Sequence, residues 1–220
     1  MKKIVFIIAL LSVTSKLFAQ DCSQYMFMKK DRVIESTSYN KKGDVLRKVV
    51  STVTNITTTS GVTTATVSAE YFDKSGKSDG KKSISYKCDG GKFMMDIGAG
   101  SAGKANASDK LSVSSLEYPT GMKVGDHLRG ATSEMENKIG GTTTIATSQI
   151  TDRMVVAKEN VTTPAGTWNC LKITYKTTVT LKGYKMAPQS IESAEWYAPN
   201  FGIIKFQIMD GLTTEITGLR

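Results

Sequence analysis

The chain has 220 residues, 40% of them hydrophobic and 22% charged, a balance that suits a globular domain and excludes a disordered or low-complexity protein. Its formal charge is +9, and it carries three cysteines and a single histidine. These numbers exclude a disulfide-dense scaffold and any metal centre built from several histidines.

Lys2 and Lys3 precede an apolar run over residues 4–13. About ten residues cannot span a hydrocarbon core, which needs ~20, so residues 1–20 read as a cleavable signal peptide cut after Ala19 or Gln20. A lipidated cysteine at Cys22 is the competing reading, but Asp21 stands where that chemistry wants a small residue. Three lysines and no acid leave with the leader, so +9 becomes +6. That modest excess suits lysines that blunt strand edges, and a sharper alternative is attraction to anionic lipid or polysaccharide. No basic cluster with interleaved aromatics points to nucleic acid. Residues 21–220 read as one domain that lives outside the cytoplasm, periplasmic or extracellular, with no transmembrane span.

Export puts Cys22, Cys88 and Cys170 where disulfides persist. Cys88 shares the parity of Ile84 and Tyr86 and points to the core, whereas Cys170 shares the parity of Lys172 and Thr174 and is expected to face outward. A Cys22–Cys88 bridge with Cys170 left over is the favoured arrangement.

Beyond the leader the pattern has a period of two. Leu171, Ile173, Tyr175, Val179 and Leu181 fall on one parity and Lys172, Thr174, Lys176, Thr178, Thr180 and Lys182 on the other. Ala65, Val67, Ala69 and Tyr71 repeat the alternation. Turn signals at Lys42-Gly43-Asp44, Ser60-Gly61, Ser75-Gly76, Gly90-Gly91, Gly140-Gly141 and Asp210-Gly211 punctuate it. Strands are predicted near 32–39, 45–58, 62–73, 81–88, 92–97, 111–117, 128–138, 143–158, 168–182, 190–198 and 202–209, with a possible last one at 212–218. Short connections make neighbours antiparallel. The expectation is an all-β fold, a large curved antiparallel sheet or half-open barrel of about 11 strands, with one loop or short helix at 98–110.

Candidate chemistry is thin. Residues 98–105 match a dinucleotide glycine fingerprint and nearly match a phosphate loop, but Ala105 replaces the hydroxyl that would reach magnesium and no parallel βαβ unit is present. His127 reads as an exposed loop residue, and Glu134 and Glu136, in phase with Thr132 and Lys138, read as a wet face. No nucleophile with a base is visible, so no enzyme activity, cofactor or metal is expected. The suggestive feature is aromatic: Phe93-Met94-Met95-Asp96-Ile97 and 196–204 are apolar on both parities, as in strands covered on both sides, which either pack as ordinary core or line an apolar cavity.

The stretch 161–173, with Thr163-Pro164-Ala165-Gly166-Thr167-Trp168-Asn169-Cys170, followed by Glu195-Trp196-Tyr197-Ala198-Pro199-Asn200-Phe201-Gly202, resembles the C-terminal hallmark of TapB-like exported bacterial proteins of unknown function. Asp21-Cys22, Tyr39-Asn40-Lys41-Lys42-Gly43 and 86–93 resemble that family too. The resemblance implies a half-open barrel like that of the lipoprotein carriers LolA and LolB, and it transfers no catalytic residue. It leads to the expectation of an envelope protein that binds a lipid or acyl chain, with Phe93, Met95, Trp196 and Phe201 lining the site. The alternative is a structural or adhesion-accessory protein acting through protein or polysaccharide contacts.

Overall fold

In the computed structural model, residues 22–96, 111–139, 142–183, 187–209 and 211–220 are described. The leader at 1–20 and the Gly/Ala stretch at 98–110 lie outside them. The strands, in chain order, are β1 Val33–Tyr39, β2 Val45–Thr59, β3 Val62–Asp73, β4 Ser78–Cys88, β5 Lys92–Asp96, β6 Leu111–Val113, β7 Ser115–Pro119, β8 Ala131–Ile139, β9 Thr142–Thr163, β10 Gly166–Lys182, β11 Gln189–Ala198, β12 Gly202–Ile208 and β13 Thr213–Leu219. They form one antiparallel sheet in the order β6-β8-β9-β10-β11-β12-β13-β1-β2-β3-β4-β5-β7. No helix among the described residues is long and apolar enough to cross a membrane.

The all-β expectation holds, with two differences. The stretch predicted as one strand over 111–117 is broken at Ser114, because its halves pair with opposite ends of the sheet: β6 with β8 and β7 with β5. Ser114 secures the break, its N–H donating to the Thr132 carbonyl at 3.0 Å while its Oγ accepts from the Thr132 N–H at 2.6 Å. Counting β6 and β7 as one kinked strand gives twelve, close to the expected eleven or so, and the large curved antiparallel sheet that was expected curls into a nearly closed barrel. The kinked strand laps both edges that would otherwise template aggregation.

Burial is graded along the barrel. On β4 the first five positions are at most half-buried while Tyr86 and Cys88 near its end are buried, and on β11 burial is continuous from Ser193 to Ala198. The well-packed end is sealed by the N-terminal segment, two 3-10 turns at Cys22–Gln24 and Met26–Met28, with Tyr25, Met26 and Met28 buried. Tyr25 stacks on Phe93 at 4.6 Å and Phe27 on Tyr86 at 4.1 Å. Tyr118 and Tyr197 continue the aromatic layer at 4.8 Å, and the Tyr25 and Tyr197 hydroxyls share a 2.9 Å hydrogen bond.

Cys22 and Cys88 are disulfide-bonded, across a sequence separation of 66. Cys170 is free but has no solvent exposure, which corrects the expected outward, wet position. Its parity is as read, since Leu171 beside it faces the interior with Tyr197; the error was to treat the outer face as wet. Cys170 sits between Trp168 and Lys172, and the next pair in register is Lys172 with Trp196, so bulky side chains cover this part of the outer wall.

Candidate functional site: the barrel interior

Away from the plug, the described side chains leave part of the interior open. A cavity of about 480 Å³ is lined by Ile84, Tyr86, Met95, Leu116, Ile150 and Phe206, among others. A second chamber of about 250 Å³ shares Ile84, Tyr86, Met95, Ile203 and Phe206 and extends to Val49 and Tyr71. Strand alternation explains the wall: Tyr86 pairs with Met95, Met95 with Leu116, Val67 with Ile84 and Val49 with Tyr71, so each inward rung adds an apolar group. A larger polar groove of about 740 Å³ runs on the outer side along the seam, beside Met94, Glu117, Thr132 and Gln149.

Two acids, Asp96 and Glu195, border the 480 Å³ cavity, and Glu195 is the buried one. Glu195 on β11 faces inward at 2% side-chain exposure, and its Oε1 accepts from Arg153 Nη2 at 3.2 Å, with the arginine fully buried. Arg153 Nη1 also donates to the Glu117 and Arg129 carbonyls, and its guanidinium lies 5.0 Å from the Tyr118 ring centroid. The Tyr118 hydroxyl donates to Glu195 Oε2 at 3.1 Å. Arg153 Nε has no hydrogen-bond partner among the described residues. Burial lifts the Glu195 carboxyl above its ordinary value, with Arg153 and the Tyr118 and Tyr175 hydroxyls acting against it.

Sequence reasoning missed this pair, and the cause is local. Ile150 faces inward, so alternation would turn Asp152 inward and Arg153 outward. Asp152 instead adopts φ +55° where the β9–β10 register slips near Tyr175, and the extra residue puts Arg153 in phase with buried Val155. Glu195 could have been found, since it shares the parity of Tyr197.

The four residues expected to line a site separate into two groups. Phe93 is at 1% exposure in the aromatic floor and borders the smaller chamber, and Met95 borders both chambers. Trp196 lies on the outer wall, in register between Lys172 and Lys205, whose ammonium groups sit 5.1 and 5.2 Å from its ring, and its indole N–H donates to Glu159. Phe201 packs against Trp168 at 5.2 Å in the β11–β12 turn. Neither lines the interior chambers. The reason is that β11 is apolar on both faces because its outer face is covered too, so a two-sided apolar strand did not single out a cavity wall. His127 is exposed and Glu134 is exposed. Among the described residues, no three His, Cys, Asp or Glu side chains converge as metal ligands.

The DUF3108-like family profile matches residues 29–211, which covers the barrel from the end of the plug to the β12–β13 turn. The chain belongs to the DUF3108-like family. The finer TapB-like and LolA/LolB relations that the motifs suggested are not carried by this match. Among solved structures, this DUF3108-like barrel is similar to a candidate lipoprotein from Parabacteroides distasonis ATCC 8503, at 22% identity and a TM-score of 0.76, over 91% of this chain and 100% of that one. It is also similar to a candidate exported protein with YmcC-like fold from Bacteroides fragilis NCTC 9343, at 20% identity and a TM-score of 0.73, over 89% and 98% of the two chains. At these identities the likeness is one of fold. No curated protein matches the chain.

Proposed function

We propose that this DUF3108-like protein is a non-enzymatic exported protein of the cell envelope that holds an apolar ligand, a lipid or acyl chain, inside its barrel. The observation that carries the reading is the cavity of about 480 Å³ among the described residues, with Ile84, Met95, Leu116, Ile150, Ile203 and Phe206 in its lining. An eight-stranded barrel is just wide enough for its own side chains to fill, whereas this one has twelve strands around it when β6 and β7 count as one. The N-terminal plug fills one end and leaves the rest at a volume within the roughly 300–1,000 Å³ range of small-molecule sites. Export is supported by the leader-like residues 1–20 and by neighbours described as exported or lipoprotein-like. Action along free strand edges, the accessory reading, has less to work with, because the kinked β6–β7 strand laps both ends of the sheet.

Native mass spectrometry of gently purified protein should show an added mass that organic extraction removes, and the emptied protein should take up a fluorescent long-chain probe. A clean apo mass together with no uptake would refute the proposal. Met95→Lys should abolish uptake, while Trp196→Phe on the outer wall should leave it unchanged.

A further inference from the structure

We infer that the cavity takes a hydroxylated acyl chain, its hydroxyl met by a polar wall at Ser148, Tyr175 and Thr177 and its methylenes by the apolar remainder of the lining. The inference rests on the reading of the interior as an acyl-chain site.

The lining of the 480 Å³ cavity is divided by strand. Ile84, Met95, Leu116 and Phe206 come from β4, β5, β7 and β12. Ser133, Ser148, Tyr175, Thr177 and Glu195 come from β8, β9, β10 and β11, which are neighbours in the sheet. Register gathers these polar groups on the inner face. Ser133 pairs with Ser148, and Ser148 is in phase with buried Ile150. Thr177 pairs with Ile150 and is in phase with Tyr175 and buried Ile173, and Ile173 in turn pairs with Glu195. Ile150 is the one lining residue of these four strands, among those described, without a polar group.

The bonds already made in this wall set what it can still accept. Glu195 takes Arg153 Nη2 and the hydroxyls of Tyr118 and Tyr175. Tyr175 has thereby committed its one proton, and its oxygen remains an acceptor at the edge of the cavity. The hydroxyls of Ser148 and Thr177 can each donate and accept. A ligand hydroxyl that donates to Tyr175 Oη and accepts from Ser148 or Thr177 matches this set in both directions. A plain methylene chain takes water from the same groups and offers no partner in exchange. Charge does not call for an ionic group here. Arg153 and Glu195 form a closed pair, and Asp96, the other acid beside the cavity, accepts from the Ser115 hydroxyl and faces Lys87 Nζ at 3.9 Å. A neutral hydroxyl on an apolar chain is the chemistry that fits a wall of hydroxyls within a greasy lining.

The test compares probes that differ by one oxygen. Displacement of a fluorescent long-chain probe from the full mature protein is measured with stearate, 3-hydroxystearate and 12-hydroxystearate. Wild type should bind the better of the two hydroxystearates about tenfold more tightly than stearate, the size of one or two net hydrogen bonds. An apolar cavity has the opposite order, because an unmet hydroxyl is costly to bury. Ser148→Ala/Thr177→Val, which removes two hydroxyls with little change of shape, should reverse the preference while stearate binds at least as tightly as to wild type. A preference for either isomer that the double variant loses supports the site and tells where along the chain the hydroxyl lies. Stearate binding to wild type as tightly as both hydroxystearates, or a preference that survives in the double variant, would overturn the hydroxyl assignment and leave the acyl-chain reading intact. Failure of all three probes to bind wild type would overturn both.

Discussion

Opening the Cys22–Cys88 bridge by reduction should cost much of the stability of the fold. Its sequence separation of 66 gives about 4 kcal/mol from denatured-chain entropy. With a urea dependence of roughly 2 kcal/mol per M, the unfolding midpoint of the reduced protein should fall by about 2 M. The native contacts of the plug remain, since Tyr25, Met26 and Met28 are buried by packing and by the Tyr25–Tyr197 hydrogen bond, so reduced protein should still fold. Urea titrations followed by tryptophan fluorescence, oxidised against reduced, give the comparison. Cys22→Ala/Cys88→Ala, insensitive to reductant, controls for incomplete opening. A midpoint shift under about 0.5 M with unchanged slope would show that the bridge does not constrain the unfolded chain, and the reasoning would fail.

Arg153→Met leaves the Glu195 carboxylate buried without its ion-pair partner, and should destabilise by about 3–5 kcal/mol, with Arg153→Met/Glu195→Leu recovering most of the loss in the same urea assay. Ser148→Phe points a ring into the 480 Å³ cavity and should raise the unfolding free energy by about 0.5–2 kcal/mol while abolishing uptake of a fluorescent fatty acid. Burial pushes the Cys170 thiol up to about 11, so iodoacetamide should leave it unmodified in native protein at pH 8 and label it once urea unfolds the chain, as read by mass spectrometry. The Lys48 and Arg220 partners of Glu35 hold its carboxyl below its ordinary value of 4.5. Its contribution is present above that value and is lost as pH falls through the lowered one, so the stability of Glu35→Gln should fall less than wild type in acid titrations.

The parts of the fold that follow strict alternation were legible. Ala65, Val67, Ala69 and Ile84, Tyr86, Cys88 face inward as their parity dictates, and the Cys22–Cys88 bridge follows from it. Legibility failed where one residue more or less entered a strand, or where an outer face was itself covered. The bulge at Asp152 hid Arg153, the break at Ser114 hid the pairing of 111–113 and 115–119 with different strands, and the Lys172–Trp196–Lys205 stack made an outer residue look like lining. Period-two reasoning treats every polar residue as a solvent-facing one, and it is blind to polar groups that a wide barrel keeps inside on purpose.

That width also bears on why the described side chains leave the two chambers open. Beside the apolar groups, several inward positions of the two chambers carry small hydroxyl residues: Ser36, Ser51 and Thr214 in one, Ser133, Ser148 and Thr177 in the other. Small side chains leave the volume open, and their hydroxyls offer partners to water, so an empty barrel hydrates without orphaning a polar group. The cost of that hydration falls on Ile84, Met95 and Phe206, and an acyl chain relieves it at about 25 cal/mol for each Å² of apolar surface removed from water. On the proposed acyl-chain reading, a wall of this mixed character suits both water and a chain, which keeps the difference between the two small enough for uptake and release. A wall of Leu and Phe throughout would close on itself and leave no such volume.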